Sequence, residues 1–270
     1  MVMRRLRSLY RHPVKGLRPE PLLAALLSKS GMEGDRAFAF QFTDESVPAE
    51  LRGAAPDTAP WMFKSHLAVQ HDWPDLARIV PSWKPETQRL SLTSDTGQIE
   101  ESVVIPEGRA RLANFVQTFL SQRIPYAKAR HPAPDPLRLI GSAGLTQRYT
   151  DAERGPVSLA LTETMQDLET QFGFKIDERR FRLNIFLTGA PSWSELQWAG
   201  KRLRIGACTL QVYKPIGRCP NIDVDPDSGE RKDEVFPHLK TRYGHSLTGM
   251  RAEIITPGSV RVGDDWELLE

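Results

Sequence analysis

The sequence predicts a mainly β fold with a few helices (α+β), arranged as β-barrel domains. Many short segments alternate apolar and polar side chains between turn residues, which is the pattern of β-strands. Only a few segments place apolar residues at helical spacing. Many short strands with few helices favour β-barrels with helices packed beside them. The proline-rich, polar stretch ARHPAPDPLR is the best candidate for a linker between two domains.

Two strand signals lie in the first hundred residues. The segment AFAFQF (37–42) alternates strictly and places its three phenylalanines on one face, so we expect a half-buried strand. The Gly-Asp pair before it indicates a turn, which places Arg36 at the start of this strand. The segment RLSLTSDTGQIE (89–100) predicts a hairpin that bends at its DTG sequence.

Three segments predict helices. RARLANFVQTFLSQ places its apolar residues on one helical face. A second helix is expected over 163–172, with Thr162 as its N-cap and Gly173 as its end. A short helix is expected from Pro237 to Gly244. The rest of the C-terminal half alternates short strands with turns, in NIFLTG, RLRIGACTLQVYK, MRAEIITPG and SVRVGDDWELL.

The composition excludes several classes of protein. Of 270 residues, 40% are hydrophobic and 26% are charged, as in globular proteins. A net charge of +2 is too small to imply nucleic-acid binding. Two cysteines cannot form a disulfide framework and fit a reducing compartment. No apolar signal-peptide segment follows the N-terminal arginines, and the longest apolar run, LLAALL, is too short to span a bilayer. We therefore expect a cytoplasmic protein that binds neither nucleic acid nor a membrane.

Cys219 lies in the stretch PIGRCPNIDVDPDSGER, directly after an arginine and before a turn signal. A neighbouring cation favours the thiolate form, and Arg218 supplies one in the sequence, so Cys219 is a candidate functional thiolate. An isolated cysteine is more often a small buried residue, and the residues alone favour that interpretation of Cys219. Cys208, in the alternating segment RIGACTLQVY, is expected to be structural.

The sequence contains no complete metal-binding motif. None of the six histidines forms an HExxH motif or lies near a CxxC pair, so a zinc site is not expected. Two cysteines are too few for the four ligands of an iron–sulfur cluster. GxGxxG, P-loop and GxSxG motifs are also absent. A metal bound at Cys219 would therefore have to bring most of its own ligands.

Polar residues at the ends of predicted elements are the other candidates, namely Lys15, Arg36, Arg182 and Asn184. Each alone is more often a solvated side chain. In the segment RFRLNIF, Arg182 and Asn184 would point to the same face of a strand. An anionic cofactor would need two or three such cations to converge, because arginine binds phosphate in a bidentate manner.

Taken together, these segments resemble the MOSC family, whose domain occurs at the C-terminus of molybdenum cofactor sulfurases and in amidoxime-reducing molybdoenzymes. YRHPVKGLRPEPL and GDRAFAF resemble strands of the family's N-terminal β-barrel domain. SLALTETMQDLE, RFRLNIFL, GRCPNIDVDPDSGER and GSVRVGDDWEL are similar, in this order, to segments of the MOSC domain. The resemblance implies a MOSC N-terminal β-barrel domain over residues 1–125, a MOSC domain over residues 126–270, and a cofactor between them.

The resemblance also implies a site that binds molybdenum cofactor (a molybdenum ion held by molybdopterin), with Cys219 as the protein's ligand to the metal. Thiolate is a soft ligand, and the pterin's dithiolene would supply the sulfurs that the chain lacks. Thr162 corresponds to a hydroxyl residue at a helix N-terminus, where backbone amides favour anions. Asp225 is expected in a turn close to the metal, where an acid could take part in proton transfer. The residues implied to hold the pterin and its phosphate are Lys15, Arg36, Thr162, Arg182, Asn184 and Arg218.

The function implied by the resemblance is the reduction of N-oxygenated, in particular N-hydroxylated, small molecules by a molybdenum-dependent oxidoreductase. The chain has no flavin, haem or iron–sulfur signature, so the electrons would come from a separate protein that carries such a cofactor. The alternative is a protein that carries molybdenum cofactor, or transfers sulfur through Cys219, without turning over a substrate. A simple thiol nucleophile at Cys219 is a third interpretation, since its catalytic partners could be distant in sequence.

Overall fold

The computed structural model describes residues 3–134, 136–144, 149–152 and 154–269. Within these ranges the chain forms sixteen strands and four α-helices, so the predicted mainly β fold is confirmed. The strands are β1 (Arg5–Arg11), β2 (Glu20–Leu22), β3 (Ala24–Ser28), β4 (Gly31–Met32), β5 (Phe38–Phe42), β6 (Val80–Lys84), β7 (Arg89–Ser94), β8 (Gly97–Ser102), β9 (Leu137–Gly141), β10 (Val157–Leu161), β11 (Ile185–Thr188), β12 (Arg202–Ile205), β13 (Cys208–Gly217), β14 (Leu247–Thr256), β15 (Gly258–Arg261) and β16 (Trp266–Leu269). The α-helices are α1 (Ala49–Gly53), α2 (Pro106–Leu120), α3 (Thr162–Phe172) and α4 (Val235–Tyr243).

The largest sheet joins the start of the chain to its C-terminal half. Its strand order is β16-β12-β13-β14-β10-β11-β1-β2, and only the pair β10 and β11 is parallel. Alternate side chains of these strands pack into one apolar core. The short sheet β15-β3-β4 contributes to the same core. The first four strands therefore complete the C-terminal part of the fold.

A second apolar core lies between the sheets β5-β9 and β6-β7-β8 and helix α2. The predicted hairpin is confirmed as β7 and β8, and α2 buries the apolar face that the sequence indicates. Strand β5 is buried on both faces rather than half-buried. Its phenylalanines join this core, while Ala39 packs on the other face against a small cluster that contains Met62, Leu67 and Tyr149.

The two later helices differ from the prediction at their starts. Helix α3 begins at Thr162 itself, and its N-cap position is Leu161, so the expected Thr162 cap was wrong. Its end at Gly173 is confirmed, with a left-handed φ of +76°. Helix α4 begins two residues before Pro237, which lies in its first turn, and ends at Gly244 as expected. In the described ranges, no helix has both the length and the apolar character needed to cross a membrane.

Strand pairing runs across the boundary predicted between residues 125 and 126, which stays a prediction. Strands β1 to β4 pair with strands from the C-terminal half, and β9 pairs back with β5. The chain must therefore pass between its two apolar cores more than once. The segments that make these passages, after β1, before β5 and before β10, line the cleft described below.

A substitution at Gly141 tests the close pairing of β5 with β9. Its φ is +99°, and a Cβ placed on it would lie 2.0 Å from the carbonyl oxygen of Ala37. We expect Gly141→Ala to lower the free energy of unfolding by at least ~2 kcal/mol, because backbone strain and a clash add together. Gly53→Ala is the control, since a Cβ there meets nothing within 4 Å. Urea unfolding followed by circular dichroism measures both variants, and equal midpoints would contradict the close contact.

Candidate functional site

A cleft of about 310 Å³ is lined by residues from both halves of the chain. Lys15 follows β1, Arg36 precedes β5, the segment 180–184 precedes β11, and Cys219 follows β13. Residues that are far apart in the sequence therefore face one space. Six of the eight predicted site residues line it, namely Lys15, Arg36, Arg182, Asn184, Arg218 and Cys219.

The cleft is strongly cationic. Among the described residues, seven lysine and arginine side chains line it, against one carboxylate, that of Asp151. The seven are Lys15, Arg36, Lys64, Arg180, Arg182, Arg218 and Arg251. Three of them pair with carboxylates. The four that form no ion pair within the described part of the chain are Lys64, Arg182, Arg218 and Arg251. Cations that converge without counter-charges repel one another, so the cleft suits an anionic ligand.

Arg36 and Arg182 share an unusual backbone conformation. Their φ angles are +48° and +53°, in the left-handed region that non-glycine residues rarely adopt. Nη2 of Arg36 donates a hydrogen bond to the carbonyl oxygen of Arg182 at 2.7 Å, and Nη1 of Arg182 donates to the carbonyl oxygen of Leu17 at 2.8 Å. Such strain persists where neighbouring contacts fix the backbone, and it is frequent at functional sites. The two guanidinium groups are therefore held in fixed positions.

Arg218 is held by backbone carbonyl oxygens. Its guanidinium donates to Thr248 at 2.8 and 3.1 Å and to Phe181 at 2.8 Å. Burial, with Arg251 adding to it, lowers the pKa of Arg218 to about 9. Burial, followed by the charge of Arg36, lowers the pKa of Arg182 to about 10. Both side chains remain charged at neutral pH, and a bound anion would stabilise that charged form.

Lys15 pairs with Asp151, the one carboxylate among the described residues of the cleft. Its side chain is 8% exposed, and Nζ donates to the carbonyl oxygen of Tyr149 at 2.8 Å and to Oδ1 of Asp151 at 2.5 Å. Burial lowers the pKa of Lys15, and Asp151 opposes this effect. The next residue, Gly16, has a φ of +89°, and a Cβ there would lie 2.5 Å from the carbonyl oxygen of Ala68. Glycine is therefore required directly after Lys15.

The two cysteines occupy different environments. Cys219 lines the cleft and is partly exposed, directly before a short 3-10 turn (Pro220–Asp223). Cys208 has no exposed surface. Burial, with a smaller effect of the Asp264 charge, raises the pKa of Cys208 to about 11, which keeps it a thiol. This environment agrees with a structural role for Cys208 and leaves Cys219 as the cysteine of the cleft.

Arg182 and Asn184 reach the cleft by a different route from the predicted one. Arg182 ends a 3-10 turn (Glu178–Phe181), and β11 begins only at Ile185, so the prediction that both residues share one face of a strand was wrong. The side-chain oxygen of Asn184 accepts hydrogen bonds from the N–H and hydroxyl of Ser158, and its Nδ2 donates to the carbonyl oxygen of Tyr10. Asn184 therefore ties β1 to β10 in the cleft wall.

The structure does not bring Thr162 or Asp225 to the cleft. Thr162 lies four residues beyond the cleft residue Ser158, about 13 Å along β10. The carboxylate of Asp225 accepts N–H bonds within its turn and pairs with Arg180. Burial alone would raise its pKa, but these hydrogen bonds and Arg180 hold the pKa of Asp225 below its ordinary value. Asp225 is thus an ionised turn residue rather than a proton donor.

Five ionisable residues of the cleft are not among the eight predicted site residues, namely Lys64, His71, Asp151, Arg180 and Arg251. Arg180 is the first residue of the RFRLNIFL segment and could have been chosen together with Arg182. Arg251 lies within β14, where strand alternation alone does not tell which face meets a ligand. His71 and Asp151 lie in irregular segments without a motif. Their convergence depends on contacts between distant parts of the chain.

Two family models together match most of the chain. The MOSC N-terminal beta barrel domain matches residues 3–122, and the MOSC domain matches residues 146–267. The chain belongs to the MOSC domain family. The resemblance seen in the sequence is thereby confirmed, together with the mainly β fold that it implies.

Curated relatives match parts of the chain at about 30% identity. The mitochondrial amidoxime reducing component 2 of Rattus norvegicus is 30% identical over 141 residues, which is 47% of this chain and 41% of the relative. The molybdenum cofactor sulfurase of Homo sapiens is 31% identical over 101 residues, which is 35% of this chain and 11% of the relative. The chain spans less than half the length of these two relatives. Among solved structures, the YuaD protein of Bacillus subtilis has a TM-score of 0.48 and 12% identity over 98% of this chain and 95% of its own.

The described residues provide no closed metal site. No group of three or more His, Cys, Asp or Glu side chains in these ranges could hold a metal ion. A metal bound by the described residues of this cleft would therefore need further ligands from a cofactor. Such a cofactor, if anionic, would meet the unpaired cations beside it.

The two thiols should differ in reactivity towards iodoacetamide. We expect alkylation of Cys219 and none of Cys208 in the folded protein, because Cys208 is fully buried and its pKa is raised to about 11. Peptide mass spectrometry measures the modified fraction of each cysteine. In urea both should react, which is the control. Equal modification of the two cysteines in the folded state would contradict the described environments.

Proposed function

We propose that the chain is a molybdenum-cofactor-dependent oxidoreductase that reduces N-hydroxylated small molecules with electrons from a separate donor protein. The observation that carries the proposal is that Cys219 shares one cleft with seven cations. Relatives of the same family are named as amidoxime reducing components, and amidoximes are N-hydroxylated amidines. The donor would be a flavin, haem or iron–sulfur protein.

The residues of the cleft fit molybdenum cofactor in two respects. The cofactor brings dithiolene sulfurs and oxo ligands to its metal, so a single protein thiolate, that of Cys219, can complete the site. The cofactor also carries a phosphate group, and the guanidinium groups of Arg36 and Arg182, each fixed by a backbone carbonyl oxygen, offer donors for such an anion. Lys15 and Arg218 add charge from two further segments. The cofactor would then lie between the two proposed domains.

The chain's own residues would bind and orient the reactants. When bound, the cofactor supplies the two-electron reduction that removes the hydroxyl oxygen from the substrate. Cys219 would fix the metal in the cleft, and its partial exposure would let a small molecule reach that metal. The carbonyl-held arginines keep their positions without rearrangement, which preserves the orientation of the reacting groups.

A second candidate function is that of a carrier that holds molybdenum cofactor, or transfers sulfur through Cys219, without reducing a substrate. The observation in its favour is the match to the molybdenum cofactor sulfurase at an identity similar to that of the amidoxime reducing component. The partly exposed Cys219 suits sulfur transfer as well as metal binding. Cofactor binding alone does not separate the two candidates, so a test of turnover is needed.

The molybdenum content of the purified protein tests cofactor binding. We expect nearly one molybdenum per chain after expression in a molybdenum-replete host, and loss of most of it in Cys219→Ala, because that variant lacks the protein ligand. Cys208→Ala is the matched control, since Cys208 lies in the core and does not line the cleft. Mass spectrometry of metals measures the content. A folded wild-type protein without molybdenum would contradict both candidate functions.

Turnover separates the enzyme from the carrier. The molybdenum-loaded protein, reduced with dithionite, should convert benzamidoxime to benzamidine, and chromatography measures the product. Cys219→Ala should form at least 100-fold less product per chain, in the range expected when an essential group is lost. Stoichiometric molybdenum without product from N-hydroxylated amidines, hydroxylamines or hydroxamic acids would favour the carrier.

A further inference from the structure

The proposed reaction consumes protons as well as electrons. Reduction of an N-hydroxylated amidine to the amidine takes up two electrons and two protons, breaks the N–O bond and releases the oxygen as water. The external donor protein supplies the electrons. One of these protons must reach the substrate nitrogen inside a cleft whose walls are mostly cationic, and a positioned acidic side chain can deliver it.

Among the described residues of the cleft, His71 has the side chain best suited to donate and regain a proton at mildly acidic pH. Arginine and lysine cations retain their protons there. Burial alone would raise the pKa of Asp151, but its ion pair with Lys15 holds the pKa below its ordinary value, so Asp151 is ionised. Cys219 is already assigned to the metal under the proposed function. His71 remains.

The guanidinium of Arg231 holds His71 beside the segment that carries Cys219. Its Nη1 donates to the carbonyl oxygen of Pro220, the residue after Cys219, at 2.8 Å. Its Nη2 donates to the carbonyl oxygen of His71 at 3.2 Å. The ring centroid of Tyr126 lies 4.7 Å from Cζ of Arg231 and 5.9 Å from the centroid of the His71 ring, in an edge-to-face arrangement. One arginine and one aromatic ring therefore fix His71 and the Cys219 segment relative to each other.

We propose that His71 is a catalytic residue that donates a proton to the substrate nitrogen as the N–O bond breaks. This inference rests on the proposed function. The electron pair from the donor protein cleaves the bond, the nitrogen takes the proton of the His71 imidazolium, and the oxygen leaves as hydroxide. The hydroxide takes the second proton from solvent and becomes water. Solvent then reprotonates His71, whose side chain is 31% exposed.

The charged groups around His71 set the direction of its pH dependence. Asp72 approaches Nε2 of His71 at 4.0 Å, and the cations that act on the ring are Lys64, Arg130 and Arg231. Burial, supported by these three cations and opposed by Asp72, lowers the pKa of His71 below 6.5. The imidazolium is therefore lost as the pH rises through a value below 6.5. The rate of the protonation step should fall in the same direction.

A substitution at His71 tests this role by kinetics. In His71→Gln we expect kcat/KM for benzamidoxime to fall about 100-fold, with unchanged molybdenum content. We also expect loss of the decline in kcat/KM that the wild-type protein shows as the pH rises from 5 to 8. His66→Gln is the matched control, because His66 is in the same segment but does not line the cleft. An unchanged pH profile and rate in His71→Gln would overturn the inference.

A binding measurement keeps this inference separate from the proposed function. Nuclear magnetic resonance of histidine-labelled, molybdenum-loaded protein should show that benzamidoxime shifts the ring signals of His71 and leaves those of His66 in place. A shift at His71 in a protein without reductase activity would overturn the proposed function and support His71 as a ligand-contacting group. Reductase activity without any shift at His71 would overturn the role of His71 and leave the proposed function standing.

Discussion

Hydrogen bonds from guanidinium groups to backbone carbonyl oxygens hold the cleft together. Arg36 donates to the carbonyl of Arg182, Arg182 to that of Leu17, and Arg218 to those of Phe181 and Thr248. These bonds join the segments before β5 and β11 to the segment after β13, which are distant in the sequence. A carbonyl oxygen orients a guanidinium without cancelling its charge. The positive charges of Arg182 and Arg218, which form no ion pair in the described part of the chain, therefore remain available to a ligand, whereas Arg36 also pairs with Asp35.

In the proposed function, the work is divided between a cofactor, which carries out the redox chemistry, and the protein, which positions the reactants. This division follows from the positive charge of the cleft and from its one described thiol. The described part of the cleft offers one cysteine among several cations, and a cofactor that carries its own sulfurs and a phosphate matches both features. The protein then contributes position and proton supply rather than redox chemistry. His71 fits this division, because Arg231 fixes it beside the Cys219 segment while solvent can still reach its ring.

Local sequence patterns were sufficient for most elements and for part of the site. Strand β5 and helix α2 were both predicted, because the alternation in 37–42 and the helical spacing of apolar residues in α2 are visible within a short stretch of sequence. The left-handed backbone conformation of Arg182 was not predicted. The same residues can form a turn or the start of a strand, and which of the two forms depends on contacts such as the hydrogen bond from Arg36. Thr162 was misplaced since its position relative to the helix start depends on backbone angles. The position of Arg251 in the cleft could be recognised only from the fold, because the other residues that line the cleft lie in other segments of the chain.

The central claim is that Cys219 and the cations around it form one binding site for molybdenum cofactor. An anomalous difference map, recorded at the molybdenum absorption edge from crystals of protein produced in a molybdenum-replete host, tests it most directly. The account predicts a single strong peak bonded to the sulfur of Cys219, with pterin phosphate density at the guanidinium groups of Arg36 and Arg182. A peak at another position, or a well-ordered cleft without one in protein that contains stoichiometric molybdenum, would contradict it.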